Sequence, residues 1–249
     1  MERKHYFITT AIISIAFLFS VNMAYGHPWL SPYVFCNNNP VRYIDPDGRD
    51  VKPIGEEALK MIQNTLTQED MQYVRFDKNG NIDKDYINSH SSESGNFNSL
   101  LELVNSDILT EVSLASSYTY MDNDGNMQTV TMSYQGPDPD FADPTGSSIG
   151  GTTTGEAGLM GQTLLPGKGI SGANSPDNTI KVIMNEKLSP AARAEIYSHE
   201  ANAHALMYVR TGDRVQSGHI IKGSTDTNKP LVNMIRTSKM ETVINMLKR

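Results

Sequence analysis

The chain has 249 residues, 38% apolar and 20% charged, with a formal net charge of −7. That length allows one medium domain with appendages. The acidic balance, with no basic run longer than two residues, excludes the clustered Lys and Arg of a nucleic-acid-binding surface. Cys36 is the only cysteine, so an intramolecular disulfide and a cysteine-rich metal site are excluded too. Any metal must be held by His, Asp and Glu.

Arg3 and Lys4 precede an apolar stretch over residues 7–21, and Ala24-Tyr25-Gly26 follows with small residues at both ends. This is the order of a secretory signal, with cleavage expected near Gly26. The apolar stretch is short for a bilayer span. The expectation is therefore an exported protein, periplasmic or extracellular, with no membrane attachment after cleavage.

Residues 27–50, HPWLSPYVFCNNNPVRYIDPDGRD, are dense in turn formers around a short strand-like VRYI. The stretch SPYVFCNNNPVRYIDPDGRD resembles the segment that closes the core domain of RHS (YD-repeat) proteins. In that family the segment marks a boundary, and a variable C-terminal domain, frequently a toxin, follows it. The resemblance implies a polymorphic-toxin setting, with an immunity protein among the partners.

Helical spacing of Ala58, Met61, Ile62 and Leu66 predicts a helix within residues 55–70. Residues 73–76 and Tyr86-Ile87 flank KNGN and read as short strands around a turn. Residues 97–104 suit a short helix. Residues 109–120 and 127–134 flank MDNDGN, a hairpin signal. Residues 135–177, rich in Gly, Pro, Ser and Thr, read as one long loop, with residues 146–172 as a candidate cleft loop. TIKVIM, residues 179–184, is an apolar strand. Ser189 can then cap a helix whose first turn accepts Pro190, running over residues 190–209 until Thr211-Gly212 stops it. Residues 231–248 carry helical periodicity through Met234, Ile235, Val243 and Leu247.

The stretch SHEANAHALMYV places His199, Glu200 and His204 in the middle of the helix over 190–209. In the H-E-x-x-H pattern two histidines four apart share a helical face and bind zinc, with the Glu as general base on the activated water. Here the spacing is five, which turns the second imidazole about 140° away on a regular α-helix. A π-bulge between them, with i to i+5 bonding, would restore the common face. The plain alternative is an ordinary helix on which Glu200 and His204, and Glu195 and His199, are surface pairs four apart.

HEANAH resembles the H-E-x-x-G-H motif of the dipeptidyl peptidase III family, in which both histidines bind zinc despite the extra residue. It also resembles the HEAYGHA-type helix of metallopeptidase domains that follow RHS cores. Ala203 stands where those motifs carry Gly, and it is expected to make the bulge harder to form. A catalytic zinc keeps three protein ligands and an open position. In gluzincins the third ligand is a Glu from a second helix, which here points to Glu241. His219, in VQSGHII, is the other candidate, as third ligand or as donor to an oxyanion.

The expected architecture is α+β and zincin-like: a small mixed sheet, an active-site helix and a C-terminal helix over residues 51–249. The expected function is zinc-dependent hydrolysis of peptide bonds in a protein or peptide substrate. His199, His204 and Glu241 would hold Zn2+, with Glu200 as base. The competing expectation is a catalytically silent secreted binding or structural fragment of an RHS toxin.

Overall fold

The computed structural model describes residues 50–134, 159–167, 173–219 and 227–249. All of them belong to one compact unit, Asp47–Arg249. The export-type segment and, but for Asp50, the RHS-like segment lie outside the described residues, as does most of 146–172.

The chain opens with β1 (Val51–Pro53), then α1 (Glu56–Gln63), a 3-10 turn (Asp70–Tyr73), α2 (Lys84–Asn88) and α3 (Gly95–Val104). Strands β2 (Thr110–Ala115), β3 (Ser117–Met121), β4 (Met127–Thr131), β5 (Gly161–Leu164) and β6 (Ile180–Asn185) follow. Then come α4 (Pro190–His199), a π-helical segment (Glu200–Ala205), α5 (Leu206–Thr211) and α6 (Lys229–Leu247). The fold is α+β, as expected, with a small mixed sheet of order β1-β2-β6-β5. Strands β1, β2 and β6 are parallel, with Val51 opposite Thr110 and Val112 opposite Val182. Strand β5 closes the other edge antiparallel to β6, with Thr163 opposite Val182.

The two sheet faces bury different partners. Strand side chains alternate faces. Val182 and Met184 therefore join Val112, Leu59, Ile62, Ile196 and Tyr197 in the main core under the helices. Ile183 points the other way, with Leu164 and Met132, against Tyr118 and Tyr120 of the β3–β4 hairpin. Pro53 lacks an amide and lies in edge strand β1, where no second ladder asks for one.

Local chemistry explains where elements start. Ser189 accepts a hydrogen bond from Ala192 N at 3.2 Å and Pro190 occupies the first turn, as the sequence predicts. Asn228 likewise caps α6, accepting from Leu231 N. The stretches DKNGN and DNDGN make the same turn. Oδ1 of Asp77 accepts from Asn79 N and Asn81 N, and Oδ1 of Asp122 from Asp124 N and Asn126 N. Gly80 and Gly125 take the positive φ, 82° and 90°, that each turn requires.

Three expectations are corrected. Tyr86-Ile87 is helix, because the Asp83 carboxylate captures Tyr86 N at 3.1 Å and starts α2. Residues 70–73 form a 3-10 turn, leaving one bridge, Phe76 with Ile82, around KNGN. Residues 135–177, expected to be one long loop, contain the strand Gly161–Leu164. That strand is β5, which pairs with β6 at the sheet edge.

Candidate metal centre

His199 is the last residue of α4, and His204 lies in the π segment that continues it. Leu206 N bonds Ala201 O, an i to i−5 bond. The extra residue is thus absorbed by π geometry, and the two imidazoles return to one face. Their Nε2 atoms are 3.1 Å apart. Ala203 does not prevent this: its methyl is fully buried against Met207, Leu231 and Ile235.

The third imidazole is His219, from the turn after α5. Its Nε2 lies 3.3 Å from that of His199. Among the described residues, His199, His204 and His219 are close enough to bind one metal ion, with ligand atoms within 4.8 Å of one another. A tetrahedral ion with metal–nitrogen bonds of 2.0–2.1 Å separates its ligands by about 3.3 Å, and both close pairs approach that value. His204 Nδ1 lies 2.5 Å from Ser217 O. A carbonyl only accepts, so Nδ1 carries the proton and Nε2 presents a lone pair to the centre. Asn228 holds the same turn from α6: its side chain donates to Gln216 O and Gly218 O, and its amide to His219 O.

Each histidine is held below the usual imidazole range. For His199 the cause is burial, followed by the charges of His204, His219 and Lys239. Burial also dominates at His204, opposed by its bond to Ser217. His219 falls to about 4 through burial and the charge of His204. Neutral imidazoles at neutral pH are the form that binds a cation.

Glu200 follows the first histidine and is buried beside the cluster. Burial pushes its carboxyl up to about 7, partly offset by the Thr163 hydroxyl and the charge of His219. Thr163 Oγ1 on β5 is 2.7 Å from Glu200 Oε2. Tyr118, on the hairpin, senses the same carboxylate. Its phenol is pushed up to about 12 by burial, then by Tyr120 and Glu200, and it lies 3.5 Å from Gln162 Oε1 of β5.

Glu241 is not part of this cluster. Its carboxylate accepts from Ser94 Oγ at 2.6 Å and from Asn96 N at 3.2 Å, at the N-terminus of α3. Helix α6 turns Ser238, Thr242 and Asn245 inward, which aims Glu241 at α3 instead. There the α3 amides and dipole attract a carboxylate. The residue that lies beside His199 and His204 instead is His219. Sequence reasoning missed Thr163, Gln162 and Tyr118, because no spacing signal ties β5 or the hairpin to the helix.

No family model, curated protein or solved structure matches the chain.

Proposed function

We propose that the chain is a zincin-like metallohydrolase that cleaves peptide bonds, with zinc held by His199, His204 and His219 and with Glu200 as general base. The observation that carries this reading is the convergence of three imidazoles beside a buried carboxylate, with the Nε2 atoms of His204 and His219 3.1 and 3.3 Å from that of His199. The donor set fits zinc: three neutral imidazoles, no thiolate, and one tautomer fixed by a carbonyl. When bound, zinc supplies Lewis acidity, acidifying a water and polarising a carbonyl oxygen.

The chain's own residues supply the rest. Thr163 holds Oε2 of Glu200, leaving the other oxygen to take a proton from the attacking water. Glu200 then returns that proton to the departing amine nitrogen. With His219 in the ligand set, the oxyanion-donor role passes to the phenol of Tyr118, which the hairpin holds against Gln162 of β5 at 3.5 Å and burial keeps neutral. The secretory-type N-terminus and the RHS-like stretch support a setting as an exported toxin effector acting on protein, with an immunity protein as partner.

The test is metal content and peptidase activity of the purified protein with His204→Ala and Glu200→Gln. About one zinc per chain is expected in the wild type, lost in His204→Ala and kept in Glu200→Gln. Activity is expected to fall on the order of 10²- to 10⁴-fold in Glu200→Gln. A wild type that takes up no zinc overturns the reading and favours a silent fragment.

A further inference from the structure

The π segment is costly to keep. A regular α-helix is the default for this sequence, and nothing in HEANAH itself demands i to i+5 bonding. Something outside the segment must hold the register, and the packing against α3 and α6 shows what does.

Asn202 lies inside the π segment, between the two histidines, and is 2% exposed. Its amide nitrogen reaches Asn96 Oδ1 at 3.2 Å and Ser238 Oγ at 3.0 Å. Ser238 Oγ in turn donates to Asn96 Oδ1 at 2.5 Å. Asn96 is itself fixed on all sides. Its amide donates to Thr65 O, Ser238 O and Thr242 Oγ1, and its backbone N–H reaches the Glu241 carboxylate. One turn earlier, Ser198 pairs with the same Thr242 hydroxyl. Ser198 and Asn202 thus key one face of the segment to α3 and α6, on either side of His199 and Glu200.

The adjacent residue is keyed by shape. Ala203 packs with Met207 on Leu231 and Ile235. With Asn202 tied to polar partners and Ala203 to apolar ones, His204 is left to face His199. Asn202 keeps its place although its own Oδ1 is buried without a hydrogen-bond partner. A buried amide with an orphaned oxygen is poor stabilisation, and is better explained by what it positions.

We infer that the Asn96–Asn202–Ser238 network, anchored through Glu241, is the positioning device that holds the π register and so brings His204 to the metal cluster. The metal-binding consequence rests on the function proposed above, but the register does not. Asn202 and Ser238 are positioning residues: they act through His204 and touch no metal.

Two readouts test this. In metal-free protein with labelled histidines, the NOE between the His199 and His204 Hε1 protons reports the register directly. It is expected in the wild type and lost in Asn202→Ala and Ser238→Ala. Zinc affinity, measured by competition with a chromophoric chelator, is expected to fall 10- to 100-fold in both variants. Asn245→Ala is the control. It removes a bond from the same helix to Thr65 O and is expected to lower stability with NOE and affinity unchanged. Variants that keep the NOE, or an Asn245→Ala that loses it equally, overturn the inference. A wild type with the NOE but no zinc binding overturns the metallohydrolase reading and leaves the register device standing.

Discussion

At the residue scale, the chemistry of the centre depends on which atoms are already committed. Thr163 has one hydroxyl proton and faces both the carboxylate and the backbone carbonyl of Glu200, at 2.7 and 3.1 Å. The charged acceptor takes it, since bonds to ionised groups are about twice as strong as neutral ones. Thr163→Val keeps the shape and removes that bond, freeing the carboxylate to turn. Under the proposed function, peptidase kcat is expected to fall about tenfold or more, with zinc content unchanged. Thr163→Ser is expected to recover most of the loss, and a Val variant with wild-type kcat would show that Thr163 does not orient the base. His219 shows the limit of reasoning from residue types. A histidine after a helix reads equally as ligand, oxyanion donor or loop residue, whereas its place beside His199 and His204 is set by Ser217 and Asn228, which fix the turn that carries it.

At the element scale, the approach of β5 to the π segment is set by the absence of a side chain. A Cβ on Gly161 would lie 2.5 Å from Ile196 Cγ2 and 3.2 Å from both Glu200 Cγ and Met184 Sδ. Gly161→Ala is expected to push β5 off the helix, costing roughly 1–3 kcal/mol, measured by denaturant unfolding. Activity should fall further than stability, because Thr163 moves with β5. Helix α2 offers a pH test remote from the centre. Asp83 titrates below its usual range, first because Tyr86 N–H bonds the charged carboxylate and then through Arg75. A depressed carboxylate stabilises the fold above its unfolded value of 3.8, and that contribution is lost as pH falls through the lower folded value. The Tm difference between wild type and Asp83→Ala is therefore expected to be constant at neutral pH and to shrink below about pH 4. A difference independent of pH would mean the carboxylate charge plays no part.

At the scale of the whole molecule, α4 and α6 are joined by an ion pair taken out of water. Lys239 Nζ lies 2.6 Å from Glu195 Oε1, with both side chains under a tenth exposed. Removing one partner leaves a buried charge. Glu195→Gln is expected to cost about 3–5 kcal/mol, whereas replacing both residues by apolar ones of similar volume should cost far less. A small loss in the single variant would show that water reaches the pair. The pair sits one helical turn before His199, so it and the Asn96 network bracket the histidine-bearing segment from the α6 side. Glu241 belongs to that support and lies outside the histidine cluster. The periodicity of Met234, Ile235, Val243 and Leu247 predicts α6 as a helix, but where Glu241 points depends on how α6 is rolled against α3.

The sequence by itself determined the elements whose causes are local. The Ser189 cap with Pro190, the Gly212 stop, the hairpin at DNDGN and the periodicity of α6 are all set by neighbours a few residues away. It also determined the chemistry on offer, a His-Glu pair with a second histidine five residues on, and the geometric demand that the helix bulge if the two were to meet. Tertiary structure decided the rest. It placed β5 at the sheet edge through pairing with β6, brought His219 and not Glu241 beside His199 and His204, and brought Thr163 to Glu200. Each of these joins residues from separate elements of the chain. Their proximity is fixed by strand order, helix rotation and packing, and none of these leaves a mark in local spacing.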